Sequence, residues 1–306
     1  MKRLLHAAYR VRGPAYGLAA LVLIVVALTS TIPMGDEARP VRGAIALGAS
    51  GVLAVCVMLI VIGPRLIPHR ESIRVSSPVS GRWLGMNSPA TKVPSHGIRL
   101  YGQAYAIDLV HEPADSARPA FGDGPPMRAA SDYPAFGAPV FAMIDGIVVR
   151  STDWRRDHRA RSNGIALVYM LIEGAVREIG GPGFILGNHV TIRGADGVYA
   201  TVAHLQQGSI STRVGATVRA GEQIARCGNS GNSSEPHVHA QLMDRVSPWT
   251  AQGLPLSFAD ITLGDEHDAR TGVPETGQYM TAGITGEERY PSAAADTAGR
   301  SANRGS

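Results

Sequence analysis

YATVAHLQQGSISTRVGATVRAGEQIARCGNSGNSSEPHVHAQL, residues 199–242, decides how the rest of the chain is read. His204 follows one β-like run and a His237-x-His239 pair lies in another, with glycine-rich turns between them. Side chains of an extended strand alternate faces, so His237 and His239 point one way while Val238 and Ala240 point into the opposite layer. Two imidazoles then converge on one small space. That suits a metal and a catalytic base better than a packed core, because each buried imidazole needs a polar partner. Gly215, Gly221, Gly228 and Gly231 read as turn formers, since a phosphate cradle needs a helix start after its glycines and none follows.

Working outward, the pattern from Ser77 onward is one of short alternating strands and turns. Residues 79–83, 105–110, 140–150, 189–192, 198–204 and 237–242 read as strands. Asp145-Gly146 and Asp196-Gly197 have the composition of tight hairpin turns. The expected fold is mainly β, an antiparallel sheet or barrel-like sandwich. One interruption is helical: residues 165–179 follow Asn163 as an N-cap, open with an apolar run and end at Gly180-Gly181-Pro182. That run is too short to span a bilayer, so the helix is expected to pack on the sheet.

A catalytic zinc takes three protein ligands and leaves a fourth position for water. Within Tyr105-Ala106-Ile107-Asp108-Leu109-Val110, Asp108 shares a face with Ala106 and Val110, where a carboxylate is costly unless it is paired or coordinates a cation. His111 has the opposite parity and points away. His96, in a Pro94-Ser95-His96-Gly97 turn, lies where it can fold back onto the strand. His189 reads as a hydrogen-bonded structural residue, and His158 and His267 fall in a basic loop and the C-terminal tail. Cys56 and Cys227 form neither a disulfide framework nor a thiolate metal motif. A zinc hydrolase is the first hypothesis.

The N-terminal quarter has a different character. The chain has 306 residues, 29 Lys and Arg against 25 Asp and Glu. Residues 1–14 are basic, and 15–34 and 43–63 are nearly continuous apolar runs, each long enough to cross a hydrocarbon core of about 30 Å at about 1.5 Å per residue. Residues 64–76 form a linker to the domain at 77–263, which carries an insert at 151–183; the tail 264–306, rich in small and polar residues, reads as disordered. Lys2, Arg3, Arg10 and Arg12 precede the first run and Arg65, Arg70 and Arg74 follow the second, which by the positive-inside rule puts both ends in the cytoplasm. In the insert, Arg155, Arg156, Arg159 and Arg161 form a patch for anionic lipid head groups or an acidic wall polymer, or a plain solvated loop.

Taken together, residues 137–149 (GAPVFAMIDGIVV), 199–205 (YATVAHL), 214–242 and the Asp108 strand resemble the LytM/lysostaphin-type zinc metallopeptidases, peptidoglycan endopeptidases built on the duplicated hybrid motif. The resemblance implies one Zn2+ per chain held by His96, Asp108 and His239, with His204 and His237 as catalytic imidazoles. It implies a bacterial protein that hydrolyses peptide bonds of peptidoglycan and has no nucleic-acid partner; the two apolar runs add the expectation of a membrane-anchored, multi-pass chain whose domain lies outside the cytoplasm, against the charge bias. One departure stands out: the family has His-x-x-x-Asp, whereas residue 104 is Ala104 and the histidine lies farther back, at His96. Two other readings are a non-catalytic relative that binds wall or a partner hydrolase, and a histidine phosphocarrier on a similar scaffold.

Overall fold

The computed structural model describes residues 2–33, 35, 37–66 and 70–283. Helices α1 (Lys2–Leu28) and α2 (Ala38–Ile62) pack side by side. The segments Arg3–Thr31 and Ala38–Arg65 are long and apolar enough to cross a membrane, and only 11% of each apolar window is buried, so both present their side chains outward as a lipid-facing pair would. The basic end of α1 is tied to the β domain. Arg10 bonds Asp244 and the Thr250 carbonyl, and Arg12 bonds the Arg99 carbonyl.

Among the described residues sixteen strands follow, with two α-helices interspersed. In chain order they are β1 (Ile73–Val75), β2 (Gly81–Met86), β3 (Ile107–His111), β4 (Met127–Arg128), β5 (Pro139–Phe141), β6 (Gly146–Thr152) and β7 (Ala160–Arg161). Helices α3 (Gly164–Ile179) and α4 (Pro182–Leu186) come next, then β8 (His189–Arg193), β9 (Tyr199–Ala203), β10 (Thr217–Val218), β11 (Gln223–Arg226) and β12 (Val238–Met243). The series closes with β13 (Gly253–Leu254), β14 (Leu256–Leu263), β15 (Arg270–Gly272) and β16 (Tyr279–Ala282).

Twelve strands make one sheet in the order β1-β14-β16-β2-β3-β12-β9-β8-β6-β10, with β13 on β12 and β15 on β14. All pairs are antiparallel except β1 with β14. The expected mainly β, sandwich-like fold is the observed one, although the sheet stays open. Its core holds the opposite-parity neighbours of the candidate site: Ile107 and Leu109 flank Asp108, and Val238 and Ala240 flank His239, all fully buried. Burying each of the larger aliphatic side chains contributes about 1.5–3 kcal/mol. The same strands therefore hold the sheet together on one face and aim polar groups from the other.

Three expectations are corrected. Residues 264–283 are not a loose tail: β15 and β16 pair with β14 and β2, and the edge hydrogen bonds of those strands supply the order that composition hides; residues 284–306 lie outside the described residues. Asp145-Gly146 makes no hairpin, because β5 pairs with β11 while β6 pairs with β8 and β10; the Asp145 carboxylate instead accepts the Ala220 N–H. Helix α3 forms where expected, its Ala166 N–H capped by Asn163, yet it does not lay its apolar face on the sheet. Only Ala166 is buried.

Candidate metal centre

Strand register sets the centre of the site. His239 on β12 lies directly opposite Asp108 on β3 and, on its other side, opposite Ala203 on β9, whose next residue is His204. The paired residues share a face, so His239 Nδ1 reaches Asp108 Oδ1 at 2.8 Å. His237, two residues earlier, joins the same face with Nε2 3.5 Å from that oxygen. His204 turns inward off the end of β9 with φ 61, a left-handed conformation that costs a non-glycine residue about 1–2 kcal/mol. Its main chain is tied down on both sides, N–H to Leu186 O and O to Gly228 N–H. The His204 and His237 rings lie 4.7 Å apart, and those of His204 and His239 5.7 Å.

His96 arrives by a longer route. Ser95 N–H donates to the Ala104 carbonyl and Ser95 Oγ to the Gln103 carbonyl, which closes residues 95–104 into a loop with its base beside β3. His96 Nε2 then stands 3.0 Å from Asp108 Oδ2. The extra residues between His96 and Asp108 loop out, and Ala104, at the family's usual histidine position, is buried in the loop base.

The donor set suits a cation, as the tautomers show. Gln241 Nε2 donates to the Tyr101 carbonyl, so its Oε1 faces His239 and takes that ring's Nε2–H. The lone pair of Nδ1 is left pointing at the Asp108 carboxylate. Ser95 Oγ, its own proton on Gln103 O, takes the Nδ1–H of His96, and Nε2 likewise points a lone pair at Asp108. Two ring lone pairs and a carboxylate thus meet head-on. Only a proton or a cation between them makes that arrangement favourable, and outer hydrogen bonds that fix ring tautomers are the usual support of histidine metal ligands. The ligand atoms of His96, Asp108 and His239 all lie within 4.8 Å of one another.

Two more rings complete the arrangement. His204 Nδ1–H donates to Ser230 O at 2.8 Å and His237 Nδ1–H to Glu235 O at 2.8 Å, so each turns Nε2 inward. Burial, then the nearby His237 and His239, hold His204 well below the ordinary imidazole value. Burial also works against charge on His237, but Asp108 outweighs it and the value is raised. For Asp108 itself burial opposes ionisation, and His96 and His237 overcome it and hold the carboxyl well below the usual range.

The other histidines among the described residues lie elsewhere. His111 stacks on Trp83, with ring centroids 4.5 Å apart, on the face its parity indicates. His189 is buried and donates from Nδ1 to the Gly187 carbonyl. His158 bonds the Gly231 carbonyl. Asn87, whose Nδ2 donates to Asp108 Oδ2 at 2.8 Å, and Gln241 escaped the sequence reading. Strand parity places Gln241 on the His239 face, which was the available signal; Asn87 joins the site through tertiary folding and leaves none. The five histidine and aspartate side chains open on a cleft of about 460 Å3, walled on one side by Met170, Leu171, Gly174, Ala175 and Glu178 of α3.

The mainly β domain thus brings His96, Asp108 and His239 together as a group that could hold a metal ion. Residues 128–250 match the family model described as Peptidase family M23, so this part of the chain is similar to that family. The match starts beyond His96 and Asp108, which enter the cluster on geometry alone. Among solved structures, the catalytic domain of the antimicrobial peptidase lysostaphin from Staphylococcus simulans is 21% identical, with 49% of this chain and 74% of that one covered at a TM-score of 0.29. Against a longer lysostaphin chain the coverage is 50% and 45%, again at 21% identity, with a TM-score of 0.30. A catalytic-domain variant of the prophage-encoded M23 protein EnpA from Enterococcus faecalis is 25% identical, covering 48% and 92%, with a TM-score of 0.25. Superpositions at these scores carry no argument.

Proposed function

We propose that this chain is a membrane-anchored zinc metallopeptidase that hydrolyses peptide bonds in peptidoglycan stem peptides or cross-bridges. The observation that carries the reading is the inward convergence of the His96, Asp108 and His239 donor atoms, with two further imidazoles beside them. Those three residues would hold one Zn2+, which when bound supplies a Lewis acid that acidifies a water and polarises the scissile carbonyl. His204, kept neutral and with Nε2 free, takes a proton from the attacking water. His237, with Nδ1 anchored on Glu235 O, turns Nε2 toward the reacting centre and donates to the oxygen where charge develops or to the leaving amine. Asn87 and Gln241 keep Asp108 and His239 oriented.

The similarity of residues 128–250 to Peptidase family M23 supports this substrate class, and the cleft beneath α3 supplies a groove. The domain faces outward in this reading, because the wall lies outside; α1 and α2 anchor it as a hairpin. The zinc content of the full chain in detergent tests the site, for wild type beside Asp108→Ala, His239→Ala and His204→Ala, each followed by incubation with peptidoglycan. The expected result is about one zinc per chain in wild type and His204→Ala but none in the other two, and peptide release by wild type alone, with His204→Ala down about 10²–10⁴-fold. A folded, metal-free wild type that retains peptidoglycan without cutting it would instead establish a binding or regulatory module.

A further inference from the structure

Helix α3 is built inside out for a helix in water. Ile165, Val168, Ile172, Val176 and Ile179 recur at helical spacing along one outward stripe, and their exposures run from 58% to 86%. The charged side chains turn the other way. Glu173 pairs with the buried Arg161 and with Arg177, and Glu178 accepts the Tyr101 hydroxyl. The helix is therefore fixed to its own domain by polar contacts and shows its apolar side to the outside, the reverse of a helix covering a core. An apolar stripe of that length on a monomer marks a partner surface.

The position of the stripe names the partner. Tyr101, bonded to Glu178 of α3, stacks edge-on against Trp249 at 5.8 Å, and Thr250, next in the chain, accepts a hydrogen bond from Arg10 of α1. The C-terminal end of α3 thus adjoins the point where the first apolar span meets the domain. Beyond Gly180 the stripe continues into Phe184, whose ring holds the Arg155 guanidinium at 3.8 Å, with exposed Trp154 on its other side at 4.3 Å. A half-exposed Trp249, an exposed Trp154 and an arginine at the edge of an apolar stripe match the head-group zone of a bilayer, where amphipathic rings and cations are favoured. At 16 residues the helix is about 24 Å long, suited to lying along a membrane surface.

We infer that α3 docks on the lipid bilayer, lying in the interface of the membrane that α1 and α2 enter. Because α3 also walls the cleft, docking holds that wall of the His/Asp site in place beside the membrane. The reading is independent of catalysis, since it concerns depth.

The full chain reconstituted in phosphatidylcholine/phosphatidylglycerol vesicles tests it, with an environment-sensitive nitrobenzoxadiazole label on Ile172→Cys or Val176→Cys. Both positions are exposed, so neither variant disturbs packing, and unlabelled parent protein, with Cys56 and Cys227 buried, is the blank. The expected result is blue-shifted emission quenched at least about twofold when the acyl chains are brominated, with no quenching at Val214→Cys beside the far sheet edge at β10. Blue-shifted emission that bromine leaves unchanged overturns the proposal in favour of a protein partner such as a second copy. Red-shifted, unquenched emission overturns it in favour of a water-facing helix.

Discussion

His239 offers Nδ1 to Asp108 because Gln241 takes the proton on its other nitrogen, and Gln241 can do so only because the Tyr101 carbonyl holds its amide the right way round. Gln241→Leu removes that choice and puts an apolar side chain of similar size in the fully buried position. Metal affinity should fall about 10–100-fold, read by titration against a chelator, with the secondary structure intact. Ser95→Ala should do the same more weakly to His96, since one neutral hydrogen bond is involved. Histidine pairs and their strand parity are visible in a sequence, so His204, His237, His239 and Asp108 could be read as one cluster. Asn87 and the reach of His96 could not, because a loop's closure depends on main-chain bonds such as Ser95 N–H to Ala104 O that carry no residue signature.

At the scale of elements, the turn between β11 and β12 holds the carbonyl on which His204 rests. Gly231 has φ 77, and a Cβ there would stand 2.5 Å from the Gly187 nitrogen, so no side chain fits. Gly231→Ala should destabilise the domain by about 1–3 kcal/mol and shift Ser230 O away from His204, seen as a lower midpoint in denaturant and a loss of activity larger than the loss of metal. The contact between α1 and the domain has its own signature. Burial works against charge on Asp244, but its hydrogen bonds to Arg10 and to the Gln252 N–H win and lower its value. A group with a depressed folded value stabilises above its unfolded value, about 3.9, and loses that contribution as pH falls through the folded one. Thermal unfolding of the full chain should therefore lose stability below about pH 4, and Asp244→Asn should lower the midpoint at neutral pH and flatten that acid limb.

Over the whole molecule, the two apolar helices, the basic end of α1 and the domain form one arrangement, with Arg10 and Arg12 on the side where the domain sits. Our reading of function puts that side outside the cytoplasm although the flanking charges favour the inside. A phosphatase active only outside the cytoplasm, fused after Ser306, should be active; activity of a cytoplasmic reporter alone would remove peptidoglycan as the substrate. The sequence by itself determined the β character, the two long apolar helices and the histidine-aspartate cluster, because alternation, hydropathy and spacing are local properties that a strand or helix displays directly. Tertiary structure alone decided the outward face of α3, the strands in residues 264–283 and the route of His96 to Asp108. Each depends on which distant surface a segment meets: Arg161 and Tyr101 turn α3 over, β14 and β2 order the late strands, and a loop closed by the main chain returns His96 to β3.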